Sequence, residues 1–255
     1  MSYVRVLQRN ALVYRRYWRG SLFFSFLSPL LFVGAIGLGV GALVAQRSPE
    51  AFGAGGYLAF FSTGMLAAAC MNTATFESSW PISSKFNWGR NYEAMYATPL
   101  RVADLFFGEM AWVALRLFMV AVPFYAVMWA FGVPALPTAP LAIPAAVLTG
   151  AAFAAAMTAY SATVETGDSF SWFFRFVITP LFLFSGTFFP LDRLPGWVEG
   201  VAAATPLYHG IELVRGLVIY GMGPFDAAVH LGYLAAFFAV ASAVGIRTYT
   251  KKLVT

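Results

Sequence analysis

Two ionisable residues, Glu109 and Arg116, stand seven positions apart within one long apolar stretch. On an α-helix this spacing places both on the same face, about 10 Å apart along the axis. An ionisable group inside a membrane costs ~2.5–3.5 kcal/mol on insertion scales, so each is a candidate for ion coupling or for a transport pathway. The structural interpretation is that each one pairs with a neighbouring helix. Glu109 lies near the end of the stretch and Arg116 lies deeper.

A second polar group recurs at His209, Glu212 and Arg215, three residues apart and directly after a Thr-Pro pair. The apolar residues that form the opposite stripe are Leu207, Ile211, Val214 and Val218. This pattern predicts a helix that begins at Pro206 and buries one face at the bilayer edge. Its other face, with Tyr208, would meet water or a translocation exit. A local ion pair between Glu212 and Arg215 is the structural alternative.

The usual signatures of catalysis are missing from the sequence. There is no GxxxxGK[ST] phosphate-binding loop, so we expect ATP hydrolysis to take place in another chain. His209 and His230 belong to no metal-binding pattern, and no GxSxG nucleophile motif appears. The single Cys70 excludes an intramolecular disulfide framework. We therefore predict no catalytic residue, no metal and no cofactor in this chain.

Composition indicates where these residues lie. Of 255 residues, 60% are hydrophobic and 11% are charged, and the mean hydropathy is +0.72. A soluble domain usually carries about 25% charged residues, so this chain cannot easily build a surface that faces water. The net charge of +5 could suit nucleic acid. Its distribution favours membrane orientation instead, and we expect no nucleic-acid partner.

Six apolar stretches predict an all-α membrane protein with six transmembrane helices. They lie at about 22–45, 55–76, 103–131, 141–162, 171–187 and 224–246. Each reaches the ~20 residues needed to cross a bilayer, except the fifth, which is slightly short. Six crossings place both termini on one side, and the excess of arginine and lysine there predicts that this side is cytoplasmic.

We expect one membrane domain over residues 1–255, with spans one to five within 22–187, span six at 224–246 and four other distinctive segments. Residues 1–21 combine arginines with Tyr and Trp, which is typical of an amphipathic helix at the headgroup layer. Residues 188–223 are apolar but interrupted by prolines and glycines, which predicts a re-entrant outer helical hairpin. The loop at 77–101 contains a short helical candidate from Trp88 to Ala97, and residues 247–255 form a cytoplasmic tail.

The segment FSGTFFPLDRLPGWVEGVAAATPLYHGIELVRG at 184–216 resembles the signature region of type-2 ATP-binding-cassette (ABC-2) permeases. The run Pro-Leu-Tyr-His at 206–209, followed by Arg215, carries this resemblance. TATFESSW at 73–80 and EAMYATPL at 93–100, with GEMAW soon after, are also similar to that family. Together these stretches most resemble the nodulation protein J branch, which exports lipo-chitooligosaccharides, and the daunorubicin-type drug export permeases.

The resemblance implies the transmembrane subunit of an ATP-driven exporter in a bacterial cytoplasmic membrane. Such permeases pair as dimers, and each copy binds a cytoplasmic ATPase subunit that holds ATP and Mg²⁺. The segment 87–98 would be the coupling helix, with Trp88, Arg90, Tyr92, Glu93, Met95 and Tyr96 as its candidate contacts. The candidate pathway or gate residues are Glu109, Arg116, Pro206, Tyr208, His209, Glu212 and Arg215. A homodimer is expected, although a paralogous permease could take the second position.

The cargo and two other functions stay open at this point. The phenylalanine-rich chain suits an amphipathic cargo, such as a lipid-linked oligosaccharide or a hydrophobic drug. A stand-alone secondary transporter would use Glu109 and Arg116 for ion coupling, but we find no internal repeat of the kind typical of such transporters. A membrane-embedded lipid transferase would need a cluster of essential polar residues. Neither alternative accounts for an aromatic loop helix together with a broken outer hairpin.

Overall fold

The computed structural model describes residues 3–16, 18–47, 52, 55–89, 91–165, 168–193 and 195–254. Within these ranges the chain forms helices and no β-strand, which confirms the prediction of an all-α protein. Helices suit an apolar surrounding because they satisfy their backbone hydrogen bonds within one segment.

The first half of the described chain holds six helices in sequence order. They are α1 (Tyr3–Tyr14), α2 (Trp18–Phe32, continued by the π-helical Val33–Val40 and by Gly41–Arg47), α3 (Gly56–Glu77), α4 (Trp80–Asn87), α5 (Asn91–Tyr96) and α6 (Val102–Ala130). The later helices are α7 (Ala142–Ser161), α8 (Asp168–Phe173, π-helical Phe174–Ile178 and Thr179–Phe184), α9 (Gly196–Ala203), α10 (Pro206–Arg215, then π-helical Gly216–Tyr220) and α11 (Pro224–Val254).

Five helical stretches among the described residues are long and apolar enough to cross a membrane. They are Trp18–Val44, Gly56–Asn87, Val102–Ala130, Ala139–Ser161 and Pro224–Val254. Each overlaps a stretch predicted from the sequence. The remaining predicted stretch, 171–187, forms α8, which is shorter than the ~20 residues that a perpendicular crossing requires.

The centre of the molecule is built on α3 and α7. Helix α7 packs against α3, α6, α10 and α11, and its many alanines allow these close approaches. The most apolar window of the α3 stretch is 78% buried, against 17% for α2 and 22% for α11. Helices α2 and α11 therefore lie at the periphery, where their apolar side chains would meet lipid or a partner chain.

Two element boundaries differ from the sequence prediction. The predicted helix over residues 1–21 ends at Tyr14, and α2 begins at Trp18. The predicted helix from Trp88 to Ala97 is divided, because Trp88 closes α4 and α5 begins only at Asn91. Helix α4 itself was not predicted. Pro81 lies in its first turn, where a missing backbone N–H has no cost, and starts the helix.

The segment predicted as an outer hairpin, 188–223, contains the short helices α9 and α10. Helix α10 begins at Pro206, and the Thr205 hydroxyl accepts a hydrogen bond from the backbone N–H of Tyr208. This is the expected cap. Helix α10 packs against α3, α7 and α11, so it lies within the helical core and not at its edge.

Candidate functional site

The Glu109 carboxylate lies at a junction of three helices. Lys85 Nζ on α4 donates to both of its oxygens at 2.7 Å, and Asn10 Nδ2 on α1 donates to Oε2 at 2.9 Å. Glu109 is 1% exposed. A charge buried this deeply needs a partner of opposite charge, so the cluster of Asn10, Lys85 and Glu109, which we call the inner junction, fixes α1, α4 and α6 together.

Arg116 lies two helical turns along α6 and holds a separate set of partners. Its Nε donates to Glu77 Oε1 at 3.0 Å, and its Nη1 donates to the Ser21 hydroxyl at 2.8 Å. The guanidinium carbon lies 4.6 Å from the centre of the Tyr14 ring, within the range of a cation–π contact. Arg116 thus connects α6 to α3, α2 and α1.

Glu109 and Arg116 each pair with a residue of a neighbouring helix, as the structural interpretation expects. The two side chains share a helical face, as their spacing predicts, but they do not pair with each other. Each is neutralised by a residue from another helix, Lys85 or Glu77. The sequence identified the charges on α6 but missed their partners. Glu77 lies inside the quoted TATFESSW stretch, which is the one signal that could have found it.

Tyr92 of α5 points into the protein. Its side chain is 0% exposed, and its ring lies 4.5 Å from that of Phe86 and 5.5 Å from that of Tyr249, centre to centre. Lys85 Nζ lies 5.9 Å from the centre of the same ring. Burial raises the pKa of the Tyr92 hydroxyl well above its usual range, and the negative charge of Glu109 raises it further. Tyr92 thus anchors α5 to the inner junction and to α11.

The other predicted coupling residues are divided between surface and core. Trp88 is 67% exposed, and Tyr96 and Glu93 are also exposed. Met95 is half-buried against the core, and Arg90 lies outside the described residues. A partner protein at this surface would therefore meet Trp88, Glu93 and Tyr96, while Tyr92 holds α5 in place.

Arg215 of α10 is buried at the opposite end of α3 from Glu77. Its Nη1 donates to Glu212 Oε1 at 2.8 Å, and its Nη2 donates to the carbonyl oxygens of Gly186 at 2.9 Å and Phe60 at 3.3 Å. The guanidinium carbon also lies 3.8 Å from the centre of the Phe60 ring. A Cβ at Gly64 would meet the Thr187 backbone at 3.1 Å, so glycine there lets the outer segment approach α3.

The predicted ion pair between Glu212 and Arg215 is thus present, and Arg215 also contacts residues outside α10. Burial lowers the pKa of the Arg215 guanidinium, and the Glu212 carboxylate opposes this shift. The guanidinium connects α10 to α3 and to the backbone that follows α8. Pro206 is buried at the start of α10, whereas Tyr208 is partly buried and lines a cavity of about 360 Å³ with Glu212 and Arg215.

His209 meets His230 of α11, a contact that the sequence did not predict. Their Nδ1 atoms lie 2.9 Å apart, and the His209 ring stacks on Tyr233 at 3.8 Å. One imidazole must donate an N–H and the other must accept it, so the contact requires at least one neutral ring. Among the described residues, no group of three or more His, Cys, Asp or Glu side chains could hold a metal ion.

Comparison with known families decides the class of protein to which these features belong. Residues 2–219 match the sequence profile described as ABC-2 type transporter, which covers most of the chain. The chain belongs to the ABC-2 type transporter family. It is a multipass membrane protein and an ABC transporter permease, as the resemblance of the signature segment predicts.

Curated relatives of this ABC-2 permease include several proteins named nodulation protein J. The protein of Rhizobium leguminosarum bv. trifolii is 31% identical over 240 residues, covering 94% of this chain and 89% of the relative. That of R. leguminosarum bv. viciae is 28% identical over 253 residues, covering 99% and 95%. That of R. meliloti strain 1021 is 28% identical over 239 residues, covering 94% and 89%.

Membership of the ABC-2 family implies a transport subunit that works with an ABC ATPase in a separate chain. The matched range includes the inner junction, the Arg116 contacts, α5 and all of α10 except Tyr220. Among the described helices, α11, with His230 and Tyr249, lies wholly beyond it.

The contact between His209 and His230 predicts that the permease loses stability in acid. Burial lowers the pKa of His209 and the neighbouring His230 lowers it further, against a smaller opposing effect of the Ala203 backbone. A folded-state pKa below the unfolded value of ~6.5 stabilises the fold above that value, and this stability is lost as pH falls below it. We expect His209→Phe to reduce the loss of thermal stability between about pH 7.5 and 5.5. An unchanged loss in purified His209→Phe would contradict this assignment.

Proposed function

We propose that this chain is the transmembrane subunit of an exporter that moves an amphipathic cargo out across the bacterial cytoplasmic membrane. Two copies would form the translocation unit, with one ATPase subunit bound to each copy. Closure of the ATPase pair on ATP would change the angle between the two permeases and open the pathway outwards.

The observation that carries this proposal is that the segment of α4 and α5 combines exposed aromatic side chains with a buried one. Trp88 and Tyr96 expose large aromatic surface to solvent, whereas Tyr92 fixes the same short segment to the inner junction. Exposed aromatic residues on a polar loop are typical anchors of a protein interface. Lys85 and Tyr92 both interact with Glu109 of α6. A displacement of α5 would therefore be passed directly to α6.

The proposed topology has six crossings and both termini in the cytoplasm. Helix α8 would be the short crossing, tilted little or set in a locally thinner bilayer. Basic residues near the termini and in the 77–101 loop support this orientation. The segment of α9 and α10 then lies on the outer side as a re-entrant hairpin, where it would close the exit.

The gradient-driven alternative is less consistent with the geometry. Ion coupling requires an ionisable group that can exchange its ion during the cycle. Glu109 is held by Lys85 and Asn10, and Arg116 is held by Glu77 and Ser21. Both groups are paired with other side chains of the protein and not left to bind an ion, so we favour the ATP-driven exporter.

Purification of the permease from its native membrane in mild detergent tests the proposal. We expect a stoichiometric soluble chain with a GxxxxGK[ST] phosphate-binding loop to co-purify and to hydrolyse ATP. A permease that stays alone, under conditions that keep other membrane complexes intact, would favour the secondary transporter.

Replacing Trp88 and Tyr96 together with alanine should weaken binding of the ATPase subunit. We expect a loss of about 30-fold, since interface anchors commonly contribute ~2 kcal/mol or more. The measurement is ATPase affinity for the permease in nanodiscs. Trp129→Ala is a matched control, because Trp129 is as exposed as Trp88 and lies near the C-terminal end of α6. Tyr92→Phe keeps the buried ring and should retain binding. Equal affinity of the double variant and the wild type would exclude α5 as the contact.

A further inference from the structure

Two cavities adjoin the Glu77–Arg116 pair. The loop-side cavity, of about 600 Å³, lies between α1, α4 and α6, and Arg9, Lys85 and Asn91 are part of its lining. The span-side cavity, of about 630 Å³, lies between α2, α3, α6 and α8. Both have the volume of a small-molecule binding site, which is ~300–1,000 Å³.

The two cavities share one wall. The residues that line both are Ser21, Phe76, Glu77 and Arg116. The Arg116 guanidinium bridges Glu77 and Ser21 at this wall. A displacement of the guanidinium from Glu77 would therefore join the two spaces.

The carboxylate of this ion pair is less enclosed than the carboxylate of the inner junction. The side chains of Arg116 and Glu77 are 10% and 19% exposed. Glu109, in contrast, is 1% exposed and receives hydrogen bonds from two residues. The Tyr14 ring lies 4.6 Å from the guanidinium carbon and offers a second contact for the charge when Glu77 is released.

The lining of the span-side cavity is mixed in chemistry. It includes small polar groups, among them Ser25, Ser28 and Asn72, and phenylalanine rings, among them Phe124 and Phe182. Among the described residues that line it, the charged ones are Glu77 and Arg116, which neutralise each other. This lining suits a molecule with an apolar chain and an uncharged head that bears hydroxyl or amide groups.

We propose that the two cavities are successive parts of one passage for such an amphiphile, and that the contact of Arg116 with Glu77 and Ser21 is the gate between them. The direction of movement rests on the proposed export function. The passage itself lies within one subunit, in addition to any path along the seam between two copies.

Cysteine accessibility tests the gate without the ATPase or any transport. In a Cys70→Ala background, Ser84→Cys reports on the loop-side cavity and Ser28→Cys on the span-side cavity. The probe is the membrane-impermeant (2-sulfonatoethyl) methanethiosulfonate, added to inverted vesicles. We expect rapid labelling of Ser84→Cys and slow labelling of Ser28→Cys. Glu77→Gln should speed the second reaction about tenfold, which corresponds to ~1.4 kcal/mol, and leave the first unchanged.

Glu212→Gln is the matched control, because it neutralises a carboxylate paired with arginine at the other end of α3. It should leave the labelling of Ser28→Cys unchanged. Slow labelling of Ser28→Cys in Glu77→Gln, with Ser84→Cys reacting normally, would overturn the gate. Fast labelling of Ser28→Cys while Glu77 is unchanged would also overturn the gate. Either result leaves the co-purification test of the proposed function unaffected.

The ligand chemistry is tested with a dodecyl maltoside whose alkyl chain carries a diazirine. After irradiation of the permease in nanodiscs, we expect adducts on the cavity-lining parts of α6 and α8, around Phe124 and Phe174. Adducts confined to the peripheral face of α11 would show that the amphiphile meets only the outer surface and would refute the proposed site.

Discussion

Replacing Lys85 with methionine is expected to destabilise the permease by about 3–5 kcal/mol, because it leaves the buried Glu109 carboxylate without its cation. Asn10 alone cannot neutralise that charge. The loss should appear as a lower thermal midpoint and lower yield of the purified protein in detergent. Since the junction connects α1, α4 and α6, we also expect α5 to become more susceptible to protease.

Two further variants test the cause of this loss. Lys85→Met combined with Glu109→Gln removes both charges and should recover at least half of the stability. Lys252→Met is a matched control, since Lys252 lies 3.8 Å from an exposed Glu165 and such pairs contribute little. If the double variant is as unstable as Lys85→Met, the defect comes from lost packing and not from an unpaired charge.

Replacing Arg215 with methionine should release the outer segment from α3. The guanidinium binds two backbone carbonyls and one carboxylate, and hydrogen bonds of charged groups contribute ~1.5–3 kcal/mol each, so we expect a loss of about 3 kcal/mol. We also expect loss of transport, because α10 would no longer be held against α3. Limited proteolysis of the segment after α8, together with cargo flux in vesicles, measures both effects.

Arg215→Lys separates charge from geometry. Lysine can keep the ion pair with Glu212, but a single ammonium cannot reproduce the planar fork that reaches Gly186 and Phe60 together. We expect the protease resistance and the cargo flux of Arg215→Lys to lie between those of the wild type and those of Arg215→Met. Glu212→Ala should have a smaller effect on stability and should change transport more than ATPase binding. Wild-type behaviour of Arg215→Met would show that the outer segment is held by apolar packing alone.

Several features of this permease could be predicted from local sequence patterns. The apolar stretches predicted the helices that are long enough to span a membrane, and Thr205-Pro206 predicted the start of α10. The seven-residue spacing of Glu109 and Arg116 predicted their common face. These predictions succeed because helix periodicity, capping and hydropathy act within one continuous segment. The quoted signature stretches also identified the family.

The partners of the charged residues were decided by the tertiary structure. Lys85 meets Glu109, Glu77 meets Arg116 and His230 meets His209, each from a different helix. Nothing in the local pattern of either residue specifies which helices become neighbours, since that depends on how α3, α6, α7 and α11 pack.

The same reason explains Tyr92. The sequence placed it beside Trp88 and Tyr96 as a contact for the ATPase, because all three are aromatic residues of one polar loop. The structure buries Tyr92 against Phe86 and Tyr249 and leaves Trp88 exposed. Composition determined that this chain is a helical membrane protein. Packing between distant helices decided which of its aromatic and charged side chains remain free to meet a partner.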